Sequence, residues 1–239
     1  MSTYPDPDVL YPEVAAHGSL AAALRAVAVE QGLSVPVSGT ESRSMYNAVV
    51  STAVPHREEL RGSAWHAERQ WAIWGGERAQ GLPLIQGETL DLAQIVRAAQ
   101  AWHDGVPLTG IARVAPFVRL TGRFEVPDGD PARLIESEWL CLRKEAAEVD
   151  WPEHHALIEA AYAEPALRQY YPFKSHWTLR FSTSIRPKLT IVPVCILAGL
   201  GEDYTVSAGY RQQHLGETAT AEDAVALAVR NLPADFTLG

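Results

Sequence analysis

Two stretches of this chain repeat one order of residues, and a duplicated block restricts the available folds more than any other feature of the sequence. Trp71-Ala72-Ile73-Trp74-Gly75, then Gly87-Glu88-Thr89, then a helix, is echoed by Tyr204-Thr205-Val206-Ser207-Ala208, then Gly216-Glu217-Thr218, then a helix. With one inserted residue, Ile95, Ala99 and Trp102 fall opposite Val225, Val229 and Leu232. Upstream, residues 46–52 stand about as far from the first Gly-Glu-Thr as residues 177–183 stand from the second. Each half then reads helix, three strands, helix. A common helix start with Thr as N-cap would give the same tripeptide without duplication.

Local patterns fill in the halves. Ser19 can cap a helix whose Leu20, Leu24 and Val27 recur at helical spacing, with Gly32 as its stop. Residues 46–54, 65–74 and 82–86 are rich in β-branched and aromatic residues and read as strands. Residues 91–103 return to helical spacing. A second helical region opens at Asp130-Pro131, an N-cap followed by a first-turn proline, and another at Asp150 with Glu153 as a capping box. Pro165 interrupts it. Strands resume at 176–185, 188–198 and 204–210, and a helix over 221–232 closes the chain. The expected fold class is α+β, two related halves of antiparallel sheet with helices packed on one face. Residues 1–18 read as an N-terminal tail, 19–110 as the first half and 111–239 as the second, in one compact domain.

Charge and composition exclude several partners. With 29 acidic and 20 basic side chains, the formal charge of −9 repels phosphate backbones, and no basic run offsets it, so no nucleic acid is expected. The most apolar window, 189–200, is too short for a membrane span and contains Pro193. Residues 1–11 lack the apolar run of a secretion signal. Cys141 and Cys195 lie among apolar residues, which suits buried thiols in a reducing cytoplasm.

Nucleotide loops, His-Glu-x-x-His, nucleophile elbows and paired cysteines are all absent, so no cofactor is expected. Gly75-Gly76 reads as a hairpin turn. Residues 170–184 are the densest polar and aromatic region. Strand alternation points Trp177, Leu179, Phe181 and Ile185 to the core, and His176, Thr178, Arg180, Ser182 and Ser184 to the other face. That face is either solvated or lines a pocket. His176 suits proton transfer, because its unperturbed pKa lies nearest neutrality. Arg180 could hold an enolate or carboxylate oxygen, and otherwise makes a cross-strand ion pair. Tyr170 or Tyr171 could donate a proton, or simply pack. In the first half Trp65, His66, Glu68 and Gln70 offer a second acid and base set, equally explained as a solvated face. Together with Trp177 and Ser182, the residues Trp65, His66 and Glu68 are candidate substrate contacts. His155 and Glu159, one helical turn apart, lack a third ligand at suitable spacing, so no metal is expected.

The run of residues 171–187, with Gly216-Glu217-Thr218-Ala219-Thr220-Ala221-Glu222-Asp223-Ala224-Val225, resembles an actinobacterial family of unknown function associated with natural-product biosynthesis. Asp91-Leu92, Val96-Arg97-Ala98 and Trp102 are similar to that family as well, and the resemblance covers most of the chain. It implies a cofactor-independent cyclase of lyase-like, general acid-base type. The reaction implied is dehydration of a polyketide-type intermediate followed by Michael-type addition to close a macrocycle. The substrate would be a hydrophobic small molecule. The rival expectation is a non-catalytic binding or immunity-type protein. Oligomeric state is left open, a homodimer being one option.

Overall fold

The computed structural model describes residues 5–38, 44–78, 80–201, 203–209 and 213–233. Its contacts divide the chain into two compact units, Met1–Thr121 and Gly122–Gly239. Each is α+β, an antiparallel sheet with helices on one face.

The first unit begins with two short helices, α1 (Pro7–Leu10) and α2 (Pro12–His17), followed by α3 (Leu20–Glu30). Strands β1 (Val37–Ser38), β2 (Asn47–Val50), β3 (Leu60–Ala64), β4 (Trp71–Gly76) and β5 (Pro83–Thr89) then run as a meander into α4 (Leu92–His103). Helix α5 (Leu108–Val114) leads to β6 (Val118–Leu120), which pairs with β5 at the far edge. Ser19 caps α3 by accepting from the Ala22 amide, and Asp91 caps α4 through that of Ala93. Both helices bury one apolar stripe against the sheet, through Leu20 and Leu24 in α3 and Ile95, Val96 and Trp102 in α4.

Three expectations about this unit need correction. Residues 5–18 are not a loose tail, because Tyr11 and Val14 are fully buried. The Tyr11 hydroxyl lies 2.8, 2.9 and 3.1 Å from the carbonyl oxygens of Trp65, Glu68 and Gln70, and accepts from the Gln70 amide. Residues 65–74 are accordingly not one strand. Residues 65–70 form a loop around that hydroxyl, and the strand starts again at Trp71. Finally, Gly75-Gly76 is not the turn but the irregular end of β4, where a Cβ on Gly76 would meet the Leu82 carbonyl oxygen at 2.3 Å.

The second unit opens with α6 (Pro131–Glu148), α7 (Pro152–Ala163) and the single turn α8 (Pro165–Arg168). A five-strand meander follows, of β7 (Tyr171–Ser175), β8 (Thr178–Ser182), β9 (Ile191–Ala198), β10 (Tyr204–Ala208) and β11 (Gln213–Thr218), closed by α9 (Ala221–Arg230). Asp130 caps α6 through the Arg133 amide, with Pro131 in the first turn as expected. The expected capping box at Asp150 is not formed, since Trp151 is the N-cap of α7 and makes no side-chain cap bond. The largest correction concerns 176–185. His176 and Trp177 have φ of 50° and 68° and form the two-residue turn between β7 and β8. Two successive positive φ values define a hairpin turn normally built from Asn and Gly, so no local signal marks it here. Tyr210, assigned above to a strand, lies outside the described residues.

The repeat is visible in strand register. Trp71, Ala72 and Ile73 pair with Thr89, Glu88 and Gly87, and Tyr204, Thr205 and Val206 pair with Thr218, Glu217 and Gly216. In both pairs a register shift follows, and in both the helix cap stands two residues after the threonine. Counted from Asp91 and Thr220, the buried residues Leu92, Ile95, Val96 and Ala99 fall opposite Ala221, Ala224, Val225 and Ala228. The helices therefore align without the inserted residue. The three strands expected per half belong to longer meanders: β3 falls in residues 55–64, outside the segments assigned above, and most of β11 in a segment read as a helix start.

Candidate functional site

Within the second unit a groove of about 580 Å³ lies between the start of α6, α8 and the segment after β8. Ala132, Ile135 and Glu136 reach it because positions three and four apart share a helix face. Pro131, Pro165 and Ile185 complete an apolar wall, and the charged groups among its lining residues are Glu136 and Arg168. The wall after β8 is braced by hydroxyls. Ser182 donates to the Ser184 carbonyl at 2.7 Å, while the Ser184 hydroxyl donates to the Lys188 carbonyl and accepts from the Thr190 amide.

The charged edge is tightly organised. Arg168 donates to Glu136 Oε2 at 3.0 Å and the Tyr162 hydroxyl donates to Oε1 at 2.7 Å. The guanidiniums of Arg143 and Arg168 each lie 4.3 Å from the Tyr162 ring centroid, a distance at which the ring quadrupole attracts a cation. Arg143 is itself fixed by two 2.7 Å bonds to Glu159. The hydrogen bond to Glu136, with partial burial, holds the Tyr162 phenol above its ordinary pKa and keeps it a donor. This arrangement presents one oriented carboxylate and one guanidinium to an apolar cleft.

The residues singled out in the sequence lie elsewhere. His176 is exposed in the β7–β8 turn and Arg180 is half-buried on β8 with its guanidinium 5.2 Å over Phe173. Because the chain reverses at Trp177, the two do not share one continuous strand face. Tyr170 is buried in the apolar core of the unit. Tyr171 is fully buried, and its phenol is pushed up by burial first and then by Glu138, with Arg186 hydrogen-bonded to it and pulling the other way. Ser182 is buried and serves the loop. Trp177 packs edge-on against Trp151 and His154, with ring centroids 5.8 and 5.5 Å apart. Trp65, His66 and Glu68 belong to the first unit, where the His66 ring lies 3.9 Å from that of Tyr46 and the Glu68 carbonyl faces Tyr11. None of His176, Arg180, Tyr170 and Tyr171 lines the groove.

Residues 133–237 match a family of unknown function (DUF6193). The matching region takes in Glu136, Tyr162, Arg168 and Ser184, hence most of the groove. No curated protein and no solved structure matches the chain. Sequence reasoning passed over Glu136, Tyr162 and Arg168, which are polar positions on three separate helices with no motif spacing between them. The available signal was weak, namely an acidic residue beside the apolar stripe residue Ile135. Among the described residues no group of three or more His, Cys, Asp or Glu could hold a metal, and no helix is long and apolar enough to cross a membrane. Glu159, considered above with His155, is engaged by Arg143.

Proposed function

We propose that the second unit binds a hydrophobic, polyketide-type small molecule in the groove beside α6, and processes it in the cytoplasm without metal or nucleotide. One observation carries this reading, an apolar cleft of about 580 Å³ whose charged lining is the single pair Glu136 and Arg168. Such a cleft takes up apolar surface readily and leaves one polar anchor to set orientation.

In this reading Glu136 removes the acidic α-proton of a β-hydroxy carbonyl compound while Arg168 stabilises the enolate oxygen. The same carboxyl returns the proton to the departing hydroxide, so that water leaves and a conjugated double bond forms. A nucleophile of the same substrate then adds to the β-carbon, and its proton passes to the α-carbon, closing the ring. Tyr162 is a positioning residue. It and Arg168 orient the carboxylate through hydrogen bonds to its two oxygens. The resemblance noted above, which extends to polyketide macrocyclases such as that of the alchivemycin pathway, supports the reaction type.

A second reading is a non-catalytic binding protein, and it is favoured by the fact that both Glu136 oxygens already accept hydrogen bonds. Two measurements separate the readings. The fluorescent probe 1-anilinonaphthalene-8-sulfonate, apolar with one anion, should bind the groove, and Ile135→Asp and Arg168→Met should weaken binding about tenfold with unchanged circular dichroism. A β-hydroxyacyl N-acetylcysteamine thioester should lose water with the parent protein and not with Glu136→Gln. Probe binding without dehydration selects the binding protein; no probe binding refutes the groove as a ligand site.

A further inference from the structure

We infer that the outer face of the first sheet, opposite its helices, binds a neutral oligosaccharide. Across five strands Val49, Arg61, Trp74, Gln86 and Arg119 are successive register partners, so their side chains fall in one row on one face. The intervening residues Ala48, Leu60, Ile73 and Ile85 turn inward to the core. Four strand spacings make the row about 19 Å long, the reach of several linked sugar rings rather than one. Two grooves, of about 910 and 420 Å³, run over this face and share Ser63 and Trp74 in their walls.

Three observations select the ligand. First, the face carries aromatic platforms, with Trp74 half-buried under the Arg61 guanidinium at 5.3 Å and Trp65 exposed over 43% of its surface. The electron-rich face of an exposed indole such as that of Trp65 suits the weakly positive C–H faces of a pyranose ring. Second, charge is balanced there. Glu58, Glu59 and Glu88 line the grooves together with Arg61, Arg78 and Arg119, within a chain whose net charge is −9. A polyanion gains nothing from a neutral patch on an acidic protein, and a polycation has better sites elsewhere, so the complement is uncharged. Third, Glu58 Oε2 is shielded from water and accepts no hydrogen bond, although it belongs to a residue of the groove wall. Rotation of this wall side chain into the groove would present that oxygen to a hydroxyl donor, and sugars supply hydroxyls in quantity.

The test is titration calorimetry of the full chain with cellohexaose, maltohexaose, xylohexaose and chitohexaose, beside a heparin hexasaccharide and a short oligothymidylate. At least one neutral hexaose should bind saturably with Kd between about 10 µM and 1 mM. Trp65→Ala, at an exposed loop position that tolerates truncation, and Trp74→Ala should each weaken that binding about tenfold. Glu58→Gln should weaken it several-fold, and Ile135→Asp in the second unit should leave it unchanged. The inference is overturned if no neutral hexaose binds at about 10 mM, if only the anionic probes bind, or if binding survives both tryptophan variants.

Discussion

The Tyr11 hydroxyl gives the sharpest test of how the first unit is held together. Tyr11→Phe removes one oxygen and leaves the ring in place, fully buried 4.5 Å from that of Trp71. That oxygen has one proton to donate among the carbonyls of Trp65, Glu68 and Gln70, and it accepts from the Gln70 amide. The variant thus loses one donated and one accepted bond. Each is worth about 1 kcal/mol net, and leaving the amide unsatisfied adds to this, for about 2–3 kcal/mol in all. Urea denaturation of the full chain should show the loss in the transition of the first unit. Hydrogen exchange should localise it, with amides of residues 65–71 exchanging about thirtyfold faster if about 2 kcal/mol of local stability is lost. Equal midpoints and unchanged protection would show that residues 5–18 sit against the sheet without anchoring it.

Three further outcomes follow from buried or strained groups. His154 is fully buried with neither ring nitrogen hydrogen-bonded, and burial first, then the nearby Lys174, pulls its pKa to about 4 from 6.5. The folded state therefore favours neutral imidazole, and its contribution is complete above about pH 6.5 and lost as pH falls towards 4, up to about 3 kcal/mol; His154→Phe should flatten that acid limb, and an unchanged limb refutes the assignment. Arg123 and Glu138 form a buried bidentate pair at 2.6 and 2.9 Å. Glu138→Gln should cost about 3–5 kcal/mol in denaturant titrations, while the double replacement by Met should recover most of it, because the penalty is an uncompensated buried charge. At the β7–β8 turn His176→Gly should raise stability by about 1 kcal/mol, since relief of the backbone at φ 50° outweighs loss of the exposed 3.4 Å contact between His176 Nδ1 and Ser175 Oγ. A fall in stability would mean that His176 makes contacts that outweigh its backbone strain.

What the sequence revealed and what it concealed divide along the distance over which each residue acts. The caps at Ser19 and Asp130 and the stripes of α3, α4 and α6 were readable because cap, proline and periodicity act within one or two turns. The buried thiols Cys141 and Cys195 were readable from apolar neighbours. Tyr11 was not, since its partners lie more than fifty residues away, and nothing local marks a tyrosine as the centre of a loop. Arg57 was missed for the same reason. It is 2% exposed and donates to the carbonyls of Trp102 and Val106, satisfying the C-terminal end of α4 from a distant loop. The β7–β8 turn failed differently, because His and Trp occupy positions where backbone preference would place Asn and Gly. Tertiary packing of Trp177 against Trp151 and His154, with Lys174 Nζ 4.9 Å from its ring, holds what local propensity disfavours.

Comparison of the two units separates scaffold from decoration. Aligned through the shared register, the row of Val49, Arg61, Trp74 and Gln86 in the first sheet corresponds to Arg180, Cys195, Ser207 and His214 in the second. The inward residues keep their character between the two, Ile73 against Val206 and Leu60 or Ile85 against the buried aliphatics of the second core. The outward ones do not. A tryptophan under an arginine is thus no requirement of this meander, because a serine beside a cysteine occupies the same sites in a sheet of the same register. The outward row of the first unit is thus set apart from what the shared meander requires, which is why that row, with Trp74 at its centre, rather than the repeated core is the place to look for a ligand.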